Sequence, residues 1–157
     1  MGAALFYHLT RSPAEAVAAS LLERALAAGW RVELRSPDAE RRAALDARLW
    51  LGAEDGFLPH GIAGGPNDRL QPVLLTLPGE AAGNVPQALM SVDGAPVGAD
   101  EVAARDRVWL LFDGADPAAV DHARAQWKTL TGAGLAAQYW SEESGRWQMK
   151  SERAAAL

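Results

Sequence analysis

The chain has no cysteine among its 157 residues, which excludes disulfides, thiolate metal sites and a cysteine nucleophile together. No apolar run approaches the roughly 20 residues of a membrane span. The N-terminus lacks the basic, apolar, small-residue order of a secretion signal, so the expected setting is the cytoplasm, without membrane contact. Positive charge is also short. A formal charge of -5 argues against wrapping duplex DNA, an affinity built from many Lys and Arg contacts to phosphate, so any basic site has to be local. What is present, 49% hydrophobic and 22% charged residues, suits one ordinary globular domain that closes its own core.

Along the chain, strand and helix signals alternate. Ala3 to Leu9 is an apolar and aromatic run suited to a buried strand. Ser12-Pro13-Ala14-Glu15 then predicts a capping box with proline at the first helical position. Val17, Leu21, Leu22, Ala25 and Leu26 make one apolar stripe, and Gly29 stands where a left-handed cap is wanted. Trp30 to Arg35 alternates like a strand with one buried face, completing a right-handed βαβ unit. Ser36-Pro37 opens a second helix running through Leu45 and Leu49.

Further strands are expected at Val73 to Leu77 and Ala88 to Val92, with a turn at Asp93-Gly94. A short helix spans Gly98 to Arg105, and Val108 to Phe112 reads as a central buried strand. Asp116-Pro117 starts a long last helix, and Leu135 to Trp140 supplies an edge strand. The sum is a three-layer α/β/α domain over residues 1–141 with a mostly parallel, Rossmann-like sheet. Residues 142–157 read as a partly disordered tail that Trp147 anchors in part.

Sheets of this kind often hold nucleotides, but the turn after the first strand, Thr10-Arg11-Ser12-Pro13, has neither a G-x-G-x-x-G nor a G-K-[ST] pattern. His8, His60 and His122 are scattered and lack i, i+4 histidine partners, so no metal site is expected. His60 beside Glu54 and Asp55 could be drawn as a base with an orienting carboxylate, but a loop histidine bonded to backbone is the simpler reading. Ser91 and Ser141 lie in no nucleophile elbow. Asp93, Asp113 and Asp116 fall near strand ends, where turns and caps already account for Asp93 and Asp116. No catalytic residue and no cofactor is expected.

Two features exceed the ordinary. Between Leu49 and Gly65, large apolar side chains stand among Gly52, Gly56, Pro59, Gly61, Gly64 and Gly65, on backbone that cannot form a long regular element. Trp50, Phe57, Leu58, Pro59 and His60 there form either a loop pinned to the core or a patch for a protein partner. Phe57 fits the patch, whereas Trp50 fits equally a buried wedge closing the second helix. On the last helix, Arg124 and Lys128 are one turn apart with Trp127 beside them. That cluster is either a solvated basic edge or a site for a short acidic peptide that ends in an apolar residue and a free carboxylate.

The series Leu49-Trp50, Phe57-Leu58-Pro59-His60 and Ala63-Gly64 resembles the signature of the chi subunit of bacterial DNA polymerase III holoenzyme. The likeness extends to Phe6-Tyr7, the Trp30 and Val32 strand, and Arg124 to Lys128, covering most of residues 3–141. The resemblance implies a non-catalytic adaptor on the clamp-loader side of the replicase. Its partners would be single-stranded DNA-binding protein and a psi-type subunit, with a repair helicase as a possible further one and DNA contact only indirect. By position, the acidic tail of single-stranded DNA-binding protein would meet Arg124, Trp127 and Lys128. The family's tyrosine is here Trp127, and a basic position of some members is Val120. The psi-type partner would meet Trp50, Phe57, Leu58, Pro59 and His60. The rival readings are a small nucleotide-binding or hydrolytic α/β enzyme, and single-strand binding with Trp127, Trp140 and Trp147 as stacking platforms.

Overall fold

A computed structural model describes residues 2–51 and 58–156. Their strands join one eight-stranded sheet. The strands are β1 (Ala3–Leu9), β2 (Val32–Arg35), β3 (His60–Ile62), β4 (Val73–Thr76), β5 (Ala88–Ser91), β6 (Arg107–Asp113), β7 (Ala136–Ser141) and β8 (Gln148–Arg153). Their spatial order is β3-β4-β2-β5-β6-β1-β7-β8. All neighbours are parallel except β7 and β8.

The helices are α1 (Ala14–Ala27), α2 (Ala39–Trp50), α3 (Ala99–Ala104) and α4 (Pro117–Gly132). Alternate residues of each strand feed the two faces. On β6, Trp109 and Leu111 join the core under α1 and α2, with Leu22, Leu45 and Leu49. Val108, Leu110 and Phe112 join the core under α3 and α4, with Val102, Ala123 and Leu130. This is the expected three-layer sandwich, and β6 lies centrally in it.

Local signals explain most boundaries. Gly29 has φ 82° just past α1, where a side chain would be strained. Asp116 caps α4 by accepting from the Ala118 N–H at 3.0 Å, with Pro117 at the first helical position.

Four expectations need correction. Pro13 is the N-cap of α1 in extended backbone rather than its first helical residue, and the Ser12 hydroxyl bonds Glu142 instead of closing a capping box. Asp38 caps α2 by accepting from the Arg41 N–H at 2.8 Å, so that helix starts beyond Ser36-Pro37. The apolar loop contributes β3, a sheet edge too short to leave a period-two pattern. At the other edge, β8 pairs antiparallel with β7, with a bulge at Tyr139/Trp140. Thus β7 is not an edge strand, and an element stands where a frayed tail was expected. Trp147 does anchor this segment, its ring 5.0 Å from that of Tyr7.

The strand β2 also departs from alternation, because both of its faces are covered. Val32 and Leu34 enter one core, while Glu33 and Arg35 are buried on the other face beneath α3. Arg35 bonds Glu33 at 3.1 and 3.3 Å, Glu101 at 2.9 Å and the Pro96 carbonyl at 2.9 Å. Glu33 also accepts from Arg105 at 3.1 Å and from Thr76 at 2.7 Å. Two cations and two carboxylates therefore cancel. Bonding from Arg35 holds the Glu101 carboxyl below the usual carboxylate range, against the opposing effect of burial.

Candidate functional site

The α4 surface is assembled by helix periodicity over the β1–β7 pair. Ala123 and Leu130 point into the core, and Trp127 lies on the border of that stripe. The indole packs edge-on against Phe6 of β1 at 5.4 Å and Tyr139 of β7 at 6.2 Å between ring centroids. Trp127 is only partly buried. Arg124 and Lys128, one residue outside the stripe, are exposed. Among the described residues neither makes an ion pair within 4.0 Å. The arrangement is therefore two free cations flanking a partly covered aromatic wall. Such a surface can hold carboxylates by charge-assisted hydrogen bonds while an apolar side chain lies on the indole. Val120, one turn earlier, packs against the core and adds no charge.

Beneath this surface lies a polar contact that helix spacing did not expose. The His8 Nδ1 and the Tyr139 hydroxyl are 2.5 Å apart, both side chains partly buried. Phe6 pairs with Tyr139 across β1 and β7, which sets the diagonal His8 within its reach. Gly114 lies so close that a Cβ there would collide with the His8 ring. Burial raises the Tyr139 phenol above its ordinary value; the nearby Arg124 guanidinium opposes that rise and Glu143 adds to it. Period-two arithmetic on Phe6/His8 and Ala137/Tyr139 could have grouped these residues once β1 and β7 were known to be neighbours.

The second candidate surface is divided differently from the expectation. Trp50 is 56% exposed and Leu51 79% exposed at the end of α2, so Trp50 is not a buried wedge. Leu58 and His60 are buried at 8% and 4% exposure, and Pro59 is partly buried. The His60 ring is drawn inward because its Nδ1 donates to the Leu58 carbonyl at 2.6 Å, while Nε2 lies 3.2 Å from the Asp46 carboxylate. Trp50 lies over that ring at 4.2 Å between centroids. Leu58 and His60 therefore support the surface from below. Phe57, like Glu54 and Asp55, lies outside the described residues.

At the carboxyl end of β1, a cavity of about 470 Å³ opens over the turn from Thr10 to Pro13. The turn's donors are already taken. The Thr10, Arg11 and Ser12 N–H groups all donate to Glu142 Oε1 at 3.0, 2.8 and 2.7 Å, and the Ser12 hydroxyl donates to Oε2 at 2.8 Å. These bonds hold the Glu142 carboxyl below the usual carboxylate range although burial acts in the opposite direction. In a fold that commonly places phosphate near such a turn, the chain's own carboxylate fills the position. Among the described residues, no group of three His, Cys, Asp or Glu side chains could hold a metal ion. No described helix is long and apolar enough to cross a membrane.

Comparison with known proteins gives the chain a family. Residues 1–138 match the sequence model of the family "DNA polymerase III chi subunit, HolC". A segment of 68 residues, 43% of this chain, is 41% identical to "DNA polymerase III subunit chi" of Pseudomonas aeruginosa. That alignment spans about half the relative's own length, 46%. With the family match extending from β1 through α4 into β7, the chain belongs to the DNA polymerase III chi subunit family.

Proposed function

We propose that this chain is a non-catalytic adaptor of the replicative DNA polymerase III assembly. Its α4 surface takes the acidic C-terminal tail of single-stranded DNA-binding protein, and its α2-end surface takes a psi-type clamp-loader partner. The observation that carries the first part is the pair of exposed cations, Arg124 and Lys128, without an ion pair among the described residues and flanking the partly buried Trp127. A site for small anions alone would not need the indole wall. The second part rests on Trp50 and Leu51, which leave apolar area in water where partner anchors are typically found.

Calorimetric titration of the full chain with an acidic peptide ending in Asp-Ile-Pro-Phe tests the first part. Saturable one-to-one binding that weakens with salt is expected; absence of saturation at low salt overturns it. Capture of a psi-type subunit by the wild-type chain, lost with Trp50→Ala, tests the second. Equal capture by both removes Trp50 from the interface. The nucleotide-enzyme reading is not favoured, because Glu142 occupies the turn where a phosphate would sit.

A further inference from the structure

We infer that the face of the β1–β7 pair opposite α4 is a further binding surface, an aromatic platform with an arginine rim that holds single-stranded DNA directly. The inference stands apart from the peptide reading of α4. Strand register places the aromatic side chains. Tyr7 of β1 is the cross-strand partner of Trp140 on β7, and Trp140 in turn lies opposite Met149 on β8. Ala137 and Tyr139 join the core under α4, so alternation puts Gln138 and Trp140 on the other side of β7. Trp147, just before β8, completes the group. Its ring centroid is 5.0 Å from that of Tyr7, and the Trp140 centroid is 6.4 Å from the same ring. All three rings are only partly buried, and Met149 is exposed. Trp127 does not belong here, since it packs against Phe6 and Tyr139 on the opposite face.

Positive charge stands beside these rings. Burial raises the Tyr7 phenol above its ordinary value, while Arg107 at the start of β6 and Arg24 of α1 are both near enough to oppose that rise. Both arginines are exposed, and among the described residues neither makes an ion pair within 4.0 Å. The Arg107 guanidinium also lies over Trp30, 5.4 Å from the ring centroid, so another partly buried indole joins the basic side of the surface. Toward β8 the charge changes sign. Glu152, opposite Gln138, is bonded by the Gln138 amide at 2.9 Å. An anionic strand therefore runs from the Tyr7 cluster toward Arg24 and Arg107, away from β8.

These features fit one class of ligand. Indole and phenol faces take stacked bases of any sequence, and guanidinium groups take phosphate by charge-assisted hydrogen bonds. A duplex keeps its base faces inside and cannot offer them. An apolar protein segment would satisfy the rings and leave both arginines without counter-charges, whereas a single strand satisfies both. In a chain of net charge -5, two cations give weak binding. At roughly 0.7 per neutralised phosphate on single strands, log affinity should fall against log salt with a slope of about -1.4. Such a contact gains weight through effective concentration when another protein holds the chain beside single-stranded DNA.

Fluorescence anisotropy of a labelled oligothymidylate, titrated with the full chain at low salt, tests the proposal. An abasic oligomer of equal length and charge is titrated alongside. Saturable binding of the oligothymidylate is expected, with the abasic oligomer at least about tenfold weaker. Arg24→Gln with Arg107→Gln, both on the exposed surface, should weaken binding and remove most of its salt dependence, with thermal melts confirming the fold. Trp140→Ala should lower oligothymidylate affinity by about fivefold to a hundredfold. It should affect the abasic oligomer much less, a difference that partial unfolding cannot imitate. Arg124→Ala with Lys128→Ala should leave DNA affinity unchanged while weakening the acidic peptide, so the two surfaces fail separately.

Absence of saturable binding at low salt, equal affinity for the two oligomers, or equal binding by the Arg24→Gln, Arg107→Gln variant overturns the inference and leaves the peptide reading intact. Loss of DNA binding in the α4 double variant would move the contact to α4 and overturn it as well. A concentration-dependent mass that Trp140→Ala abolishes, without DNA binding, would give this face to a second copy of the chain and overturn the proposal.

Discussion

Arginine serves opposite ends at two places in this sheet. Under α3, Arg35 is 5% exposed and spends its donors on Glu33, Glu101 and the Pro96 carbonyl. On α4, Arg124 stands in water with no ion pair among the described residues. The same guanidinium is structural where its charge is cancelled and its donors are used, and available where neither holds. The contrast separates a charge that keeps α3 on the sheet from a charge that can still engage a partner. It also explains why an acidic chain can carry a basic site: only two cations, Arg124 and Lys128, must remain unspent.

The largest expected effect comes from breaking the buried side. Arg35→Ala leaves Glu33 buried with only part of its compensation, which should cost roughly 3–5 kcal/mol in urea unfolding. Peptide affinity should be unaltered in whatever fraction stays folded. The converse change, Arg124→Ala with Lys128→Ala, should lower peptide affinity by about tenfold to a hundredfold. Unfolding free energy should then stay within about 0.5 kcal/mol of wild type. A large loss of stability in the double variant, or of binding in Arg35→Ala, would erase the distinction between the two sites.

Acid sharpens the comparison further. Glu101 and Glu142 both have folded pKa values depressed by their hydrogen bonds. Their stabilisation is therefore full above the unfolded glutamate value, about 4.3, and is lost as pH falls through the lower folded values. Glu142→Gln should flatten the acid limb of a stability profile recorded between pH 7 and pH 3. An unchanged limb would mean that the Thr10–Ser12 donors do not distinguish carboxylate from amide. The smallest effect is expected at Trp50→Ala. Because the indole is more than half exposed, stability should move by less than about 1 kcal/mol, while capture of the psi-type partner is lost.

These contrasts also show what could be read from sequence. Runs and spacings were informative wherever one segment decides its own structure: Val108–Phe112 as a central strand, Asp116-Pro117 as a helix start, Gly29 as a cap, and Arg124, Trp127 and Lys128 as neighbours on one helix. Contacts between distant segments left no local trace. Glu33 and Arg35 looked like the wet side of a strand because Glu101 and Arg105, which neutralise them, are some seventy residues away. Ser12 looked like a helix cap because Glu142, its actual partner, lies 130 residues further on. The strand β8 was missed because Gln148–Arg153 is nearly all polar and exposed, with no apolar alternation to announce it. The α4 candidates were legible from helix spacing, but the His8–Tyr139 contact needed the β1–β7 pairing. At the end of α2, motif resemblance singled out a segment but could not say that His60 faces inward and Trp50 outward.

The central claim is that the unspent cations of α4 hold an acidic tail. Its most direct test is the affinity of the Asp-Ile-Pro-Phe peptide for the wild-type chain and for the Arg124→Ala, Lys128→Ala double variant at low salt, with melting temperatures measured on the same samples. The account predicts saturable binding to the wild type, reduced by at least about tenfold in an equally stable double variant. Equal affinity for both proteins, or no binding to either, would contradict it.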